Sequence, residues 1–164
     1  MKKSLLSLAV LASMVSADVF EKGRMSIGLA VGSSYSYGEQ YTILGVGIDY
    51  FLNNGLSVGV GYRGWFGGDP STNELTFTSN YYMPLSKKFR PYIGAFLKET
   101  YVNYDNYDNR SYESYGARGG VAMIMSPNSY LSFGYAYEVY GDCTETVLRE
   151  CSNSYPEFVF SLAF

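Results

Sequence analysis

An all-β fold, an eight-stranded antiparallel up-and-down transmembrane barrel, is what this sequence predicts, and three observations carry it. Beyond residue 18 the chain breaks into eight segments of alternating apolar and small or polar residues, each about ten long and joined by turn or loop signals. The first 17 residues read as an export signal. The chain holds 18 Tyr and 18 Gly, yet no later apolar run is long enough for a membrane helix. A soluble protein with so many alternating aromatics would have a sticky surface, whereas a barrel wall in lipid requires them.

The amino-terminal stretch sets the frame. Lys2 and Lys3 form a basic head, Leu5 to Val15 an apolar run of 11 residues, and Val15-Ser16-Ala17 a small-residue cleavage site. That run is well short of the roughly 20 residues a spanning helix needs. No Cys follows it, which argues against lipoprotein processing. Cleavage after Ala17 is expected, leaving 18–164 as one barrel domain. With Lys2 and Lys3 gone, ten of the 12 basic residues face 15 acidic ones, a net charge of about −5. No basic stripe is left to neutralise phosphates, which argues against nucleic acid as a partner.

Segment one, 24–37, sets Met25, Ile27, Leu29 and Val31 against Ser26, Gly28, Ala30 and Gly32. Segment two, 40–51, sets Leu44, Val46, Ile48 and Tyr50 against Gly45, Gly47 and Asp49, and Leu52-Asn53-Asn54-Gly55 closes a tight hairpin. Segment three, 56–66, alternates Leu56, Val58, Val60 and Tyr62 with Ser57, Gly59, Gly61 and Arg63. A polar loop, 67–73, leads to segment four, 74–83, with Leu75, Phe77, Tyr81 and Met83 opposite Thr76, Thr78, Asn80 and Tyr82. Segment five, 92–102, leaves apolar residues on both faces at either parity, and a Tyr/Asn/Asp loop follows at 103–110. Segment six, 112–125, sets Tyr115, Val121, Met123 and Met125 against Arg118, Gly120 and Ala122. After the turn Ser126-Pro127-Asn128-Ser129, segment seven, 130–140, alternates Leu131, Phe133, Tyr135, Tyr137 and Val139 with Ser132, Gly134, Ala136 and Glu138. The loop 141–153 holds Cys143 and Cys151. The last segment places Phe158, Phe160, Leu162 and Phe164 on one face, with Glu157, Val159, Ser161 and Ala163 on the other.

Ending on an aromatic residue, this strand resembles the closing strand of bacterial outer-membrane barrels. There the alternation Phe158, Phe160, Leu162, Phe164 implies recognition by the barrel assembly machinery. Connections after segments two, four and six are tight or basic, and those after three, five and seven are longer and polar. The whole of 18–164 resembles the small eight-stranded barrels of the OmpA transmembrane-domain and OmpX type. The resemblance implies insertion in a lipopolysaccharide-containing outer membrane, short turns toward the periplasm, and loops that meet host or surface ligands.

Histidine is absent from the chain. The lipid-modifying and proteolytic activities of barrels this small resemble one another in needing one to activate a nucleophile or water, so an enzyme is not expected. Neither a His nor a Cys cluster is available for a transition metal, and no cofactor is expected. Calcium near Asp105 and Asp108 competes with a plain solvated loop. Cys143 and Cys151, seven residues apart on one loop of an exported chain, are expected to form a disulfide worth roughly 2–3 kcal/mol. Arg63, Arg118, Glu138 and Glu157, with Lys98 if it faces inward, fall at similar heights on the polar face. They form either a paired interior charge layer, with Arg118 meeting Glu138 on the neighbouring strand and Glu157 within reach across a narrow lumen, or scattered lumen charges solvated by trapped water. Two functions stay open: a side-chain-filled barrel with a structural or surface-interaction role, or a narrow OmpW-like conduit for ions or small hydrophobic molecules. The bore decides between them, and eight strands leave one just wide enough for side chains.

Overall fold

Every one of the eight alternating segments forms a strand in the computed structural model, which describes residues 18–36, 39–104, 108–141 and 151–164. They are β1 (Met25–Ser36), β2 (Glu39–Asn53), β3 (Leu56–Phe66), β4 (Ser71–Tyr82), β5 (Phe89–Asn103), β6 (Arg110–Ser126), β7 (Ser129–Tyr140) and β8 (Ser152–Ala163). Each pairs antiparallel with the next, and β8 returns to β1 to close the barrel. Closure leaves no full-length unpaired edge, which hydrocarbon does not tolerate.

Alternation sorts the side chains as the period of two requires. Met25, Ile27, Leu29, Leu44, Val46, Ile48, Val58, Val60, Phe77, Phe133 and Phe160 are exposed on the outer wall. Ser26, Ser57, Asn80, Thr100, Ser132 and Ser161 are buried within. An apolar wall around a polar lumen is the inverse of a water-soluble barrel and suits lipid. Segment five, undecided from its own residues, turns Tyr92, Phe96, Lys98 and Thr100 inward and Ile93, Leu97 and Tyr101 outward. Its neighbours impose that parity, since Lys98 is opposite Thr76 of β4 and Ser114 of β6.

Strand β4 begins at Ser71 rather than 74, so the polar loop before it is shorter than its Gly, Asp and Asn content suggests. The β2–β3 turn has Gly55 at a φ of 81°, a left-handed conformation that Gly adopts freely. The tight turns lie at one end of the barrel, and the loops after β3, β5 and β7 at the other. The expected export signal at 1–17, Cys143 and Asp105 lie outside the described residues.

Candidate functional site: a charged layer and a closed floor

Six consecutive strands, β3 to β8, each send one charged side chain into the lumen at mid-height. They are Arg63, Glu74, Lys98, Arg118, Glu138 and Glu157, whereas β1 and β2 present Gly28, Ala30, Gly45 and Gly47. That small-residue wall leaves the long side chains room to cross the bore. The charges join in a chain of alternating sign. Arg118 Nη2 is 3.5 Å from Glu157 Oε1, which lies 3.9 Å from Arg63 Nη2. Arg63 Nη1 meets Glu74 Oε2 at 3.4 Å, and Lys98 Nζ links Glu74 at 3.4 Å to Glu138 at 2.7 Å. Glu74, Lys98, Glu138 and Glu157 are all buried. Equal numbers of opposite charges lower the cost of holding them in a restricted space, where any one alone would be expensive.

Arg63, Lys98, Arg118, Glu138 and Glu157 are thus brought into one paired layer, but the expected partners differ. The height argument pairs Arg118 with Glu138, and the structure does not. Across β6 and β7 Arg118 is opposite Ala136, and Glu138 is opposite Gly116. Gly116 offers no side chain there, and a Cβ would fall 2.6 Å from Phe96 Cζ. Glu138 therefore reaches across the space to Lys98, while the Arg118 guanidinium lies 5.0 Å from the Phe96 ring centroid and turns to Glu157. Glu74 is the member the sequence reading omits. It is the first residue of segment four and shares the inward parity of Thr76, Thr78 and Asn80. Asp49 lies below the layer and accepts a hydrogen bond from Thr78 Oγ1 at 3.4 Å.

The second feature has no forecast in the strand pattern. Asp18 to Arg24 folds across the short-turn end of the barrel, burying Val19 and Phe20 to 1% exposure. The Phe20 ring stacks on Tyr82 at 4.4 Å and packs on Tyr130 at 4.8 Å and Phe51 at 5.7 Å. Such aromatic pairs add about 0.5–1.5 kcal/mol each to the area they bury. Gly55 N–H donates to Phe20 O at 2.8 Å, Gly23 N–H to Phe51 O at 2.8 Å, and Lys22 N–H to Asn54 Oδ1 at 3.0 Å. Arg90, which shares the inward parity of Tyr92, pairs with Asp18 and lies over the Phe20 ring, latching the segment to the wall. The signal in the sequence is the apolar pair Val19-Phe20, stranded among polar residues before β1.

Between floor and layer lies a cavity of about 120 Å³, and above the layer a larger one of about 550 Å³. The interior is therefore filled only in its lower half, the outer half being a cup. At the carboxyl end, Phe158, Phe160, Leu162 and Phe164 are exposed on the outer wall, and Phe164 exchanges backbone hydrogen bonds with Met25 at 2.9 and 3.0 Å.

A closed, eight-stranded antiparallel barrel with an apolar outer wall and a polar lumen is of the transmembrane class. Solved barrels of this class are similar to the chain in fold. The amino-terminal β-barrel domain of Pseudomonas aeruginosa OprF superimposes with a TM-score of 0.67 at 15% identity, covering 87% of this chain and 98% of that one. Neisserial surface protein A follows at 0.57 and 20%, covering 85% and 93%. The attachment invasion locus protein Ail of Yersinia pestis gives 0.53 and 13%, covering 87% and 99%. No family model and no curated protein matches the sequence.

Proposed function

We propose that this is an exported outer-membrane barrel that passes no solute and acts through its shape and its external loops. The observation that carries the reading is the double closure of the lumen. A chain of ion pairs crosses mid-height, and the Phe20 cluster seals the end below it. Export follows from the signal-like residues 1–17, whose removal after Ala17 would make Asp18, the residue Arg90 holds, the new amino terminus. The Phe158-to-Phe164 alternation offers the assembly machinery its recognition strand. The solved barrels of similar fold include a Neisserial surface protein and the Yersinia pestis attachment invasion locus protein, which favours loops as the interacting part. The loops themselves are acidic and tyrosine-rich near 104–109, a surface better suited to neutral glycans or protein than to polyanions.

Efflux from proteoliposomes tests the closure. Vesicles carrying the refolded chain should retain small sugars and monovalent ions as well as empty vesicles do. Rapid swelling in a permeant sugar would favour the conduit reading instead.

The orientation has its own check. Protease added to intact cells should cut within 104–109 and spare Asn54–Gly55 and Pro127–Asn128, because tight turns of such barrels face the periplasm. Cutting at those turns with the membrane unbreached would invert the topology.

The cysteines belong to the same proposal. Cys151 lies just before β8, its carbonyl accepting from Tyr140 N–H at 3.0 Å. Thiol labelling of exported protein should find neither Cys143 nor Cys151 reactive until a reductant is added. The double Ser variant should still insert, since only a short loop is closed. Failure to assemble would give the bridge a larger role than a local brace.

A further inference from the structure

The wall of the barrel is incomplete on one side. Among the described residues, strands β1 and β8 pair only from Met25/Phe164 to Leu29/Phe160, whereas the other neighbouring strands pair along most of their lengths. Above Leu29, Ala30–Ser36 and Ser152–Val159 are not paired with one another among the described residues. Pro156, which has no N–H to give a ladder, lies in this stretch, where a strand edge tolerates it. The level of the gap follows from the outer wall. Its lower lip is Val31 and Phe158, exposed at 74% and 58%, beside Glu157 of the mid-height layer and so within the apolar belt, with Tyr135 and Tyr137 exposed above on β7. Unpaired backbone at that depth needs a polar partner, since hydrocarbon supplies none.

Behind the gap lies the cup. Val31, Gly32, Pro156 and Phe158 line it together with lumen residues, so the seam is its side entrance. Its volume of about 550 Å³ falls within the roughly 300–1,000 Å³ of small-molecule sites. Tyr112, Tyr140, Tyr155 and Trp65 supply aromatic walls. Among the charged residues lining it, Glu74, Glu138 and Glu157 outnumber Arg63 and Lys98. Glu138 is fully buried, and while its Oε2 holds Lys98, its Oε1 finds no hydrogen-bond partner among the described residues. The layer as a whole is balanced, Glu157 being paired with Arg118 and Arg63, so the preference for a cationic head over an anionic one rests on the unpartnered Glu138 Oε1 and the aromatic walls. An apolar-lipped exit within the belt favours a tail that stays in the lipid.

We propose that the outer half of the lumen binds a single-chain amphiphile with an amine head. Its ammonium sits on the charged layer beside Glu138, and its hydrocarbon tail leaves sideways between Val31 and Phe158 into the outer leaflet. With the floor closed, the site is a dead end, so binding entails no passage.

Trp65, the only tryptophan in the chain, lines the cup and reports on it. The probe is dodecylamine brominated along its tail near the head, added to the full barrel in nanodiscs while Trp65 fluorescence is followed. Quenching should saturate and be reversed by unlabelled dodecylamine, but not by ethylamine, which lacks the tail. Brominated lauric acid should quench only weakly and without saturation. Equal quenching by acid and amine, or a linear rise with both, would overturn the site. Glu138→Gln should raise the apparent Kd about tenfold, the loss of one charge-assisted contact. Val31→Phe narrows the seam from the lipid side and leaves the charged layer intact, so it tests the entrance even if the Glu138 variant does not fold. It should weaken dodecylamine several-fold, and unchanged affinity would refute entry through the seam.

Discussion

Reversing Lys98 to Glu is expected to cost about 4 kcal/mol and lower the urea midpoint of the refolded barrel by roughly 2 M. Lys98 is the cation shared by Glu74 and Glu138, at 3.4 and 2.7 Å. The variant would leave three carboxylates facing one another in a buried space, and Arg63 already divides its charge between Glu74 and Glu157. Exchanging the pair, Lys98→Glu with Glu138→Lys, restores an opposite charge at the 2.7 Å contact. It should recover more than half of the loss. Urea titration of the wild type, both single variants and the double variant closes the cycle. If the two losses simply add, Lys98 and Glu138 are not coupled, and the layer is a set of solvated charges rather than a paired one.

Phe20→Ala should detach the floor without unfolding the wall. A buried aromatic truncated to Ala costs about 3–5 kcal/mol, as much as the backbone hydrogen bonds of the seven-residue segment together contribute at about 1 kcal/mol each. Asp18 to Arg24 is held to the barrel by those bonds, the Arg90 latch, the buried Val19 and this ring. The expected result is rapid amide exchange confined to 18–24 and to the edges it covers, Phe51 and Gly55, with β3 to β7 still protected. Global loss of protection would mean that the segment belongs to the cooperative core.

These two features also mark where the sequence speaks and where it stops. Inward and outward faces of β1, β2, β3, β4, β6, β7 and β8 are legible because their apolar residues keep a period of two. In β5 the run Ala95-Phe96-Leu97-Lys98-Glu99 repeats its chemistry on both faces, so only register with β4 and β6 decides it. Which strand contributes a charge can be read, but which charge it meets cannot. Pairing depends on stagger around the closed wall, and a shift of two residues moves Arg118 from Glu138 to Glu157. Gly116 illustrates the difficulty, because an absent side chain on one strand decides the reach of a carboxylate on the next. Glu74 opens the fourth segment and shares the parity of Thr76, so the same parity argument reaches it. The floor follows from no periodicity at all, and only the isolated Val19-Phe20 pair hints at it. Pro156 is visible as a residue out of place in a strand, but that the strand is an edge there appears only with the β1–β8 register.

Single-channel recording in planar bilayers, with wild type and Phe20→Ala side by side, tests the closed lumen most directly. The wild type should show no steady conductance steps across the physiological voltage range. Phe20→Ala should show only brief, small openings, because removing the floor leaves the ion-pair layer in place, and adding Lys98→Glu to it should lengthen them. Stable, resolved open states in the wild type would contradict the closure and make the barrel a channel.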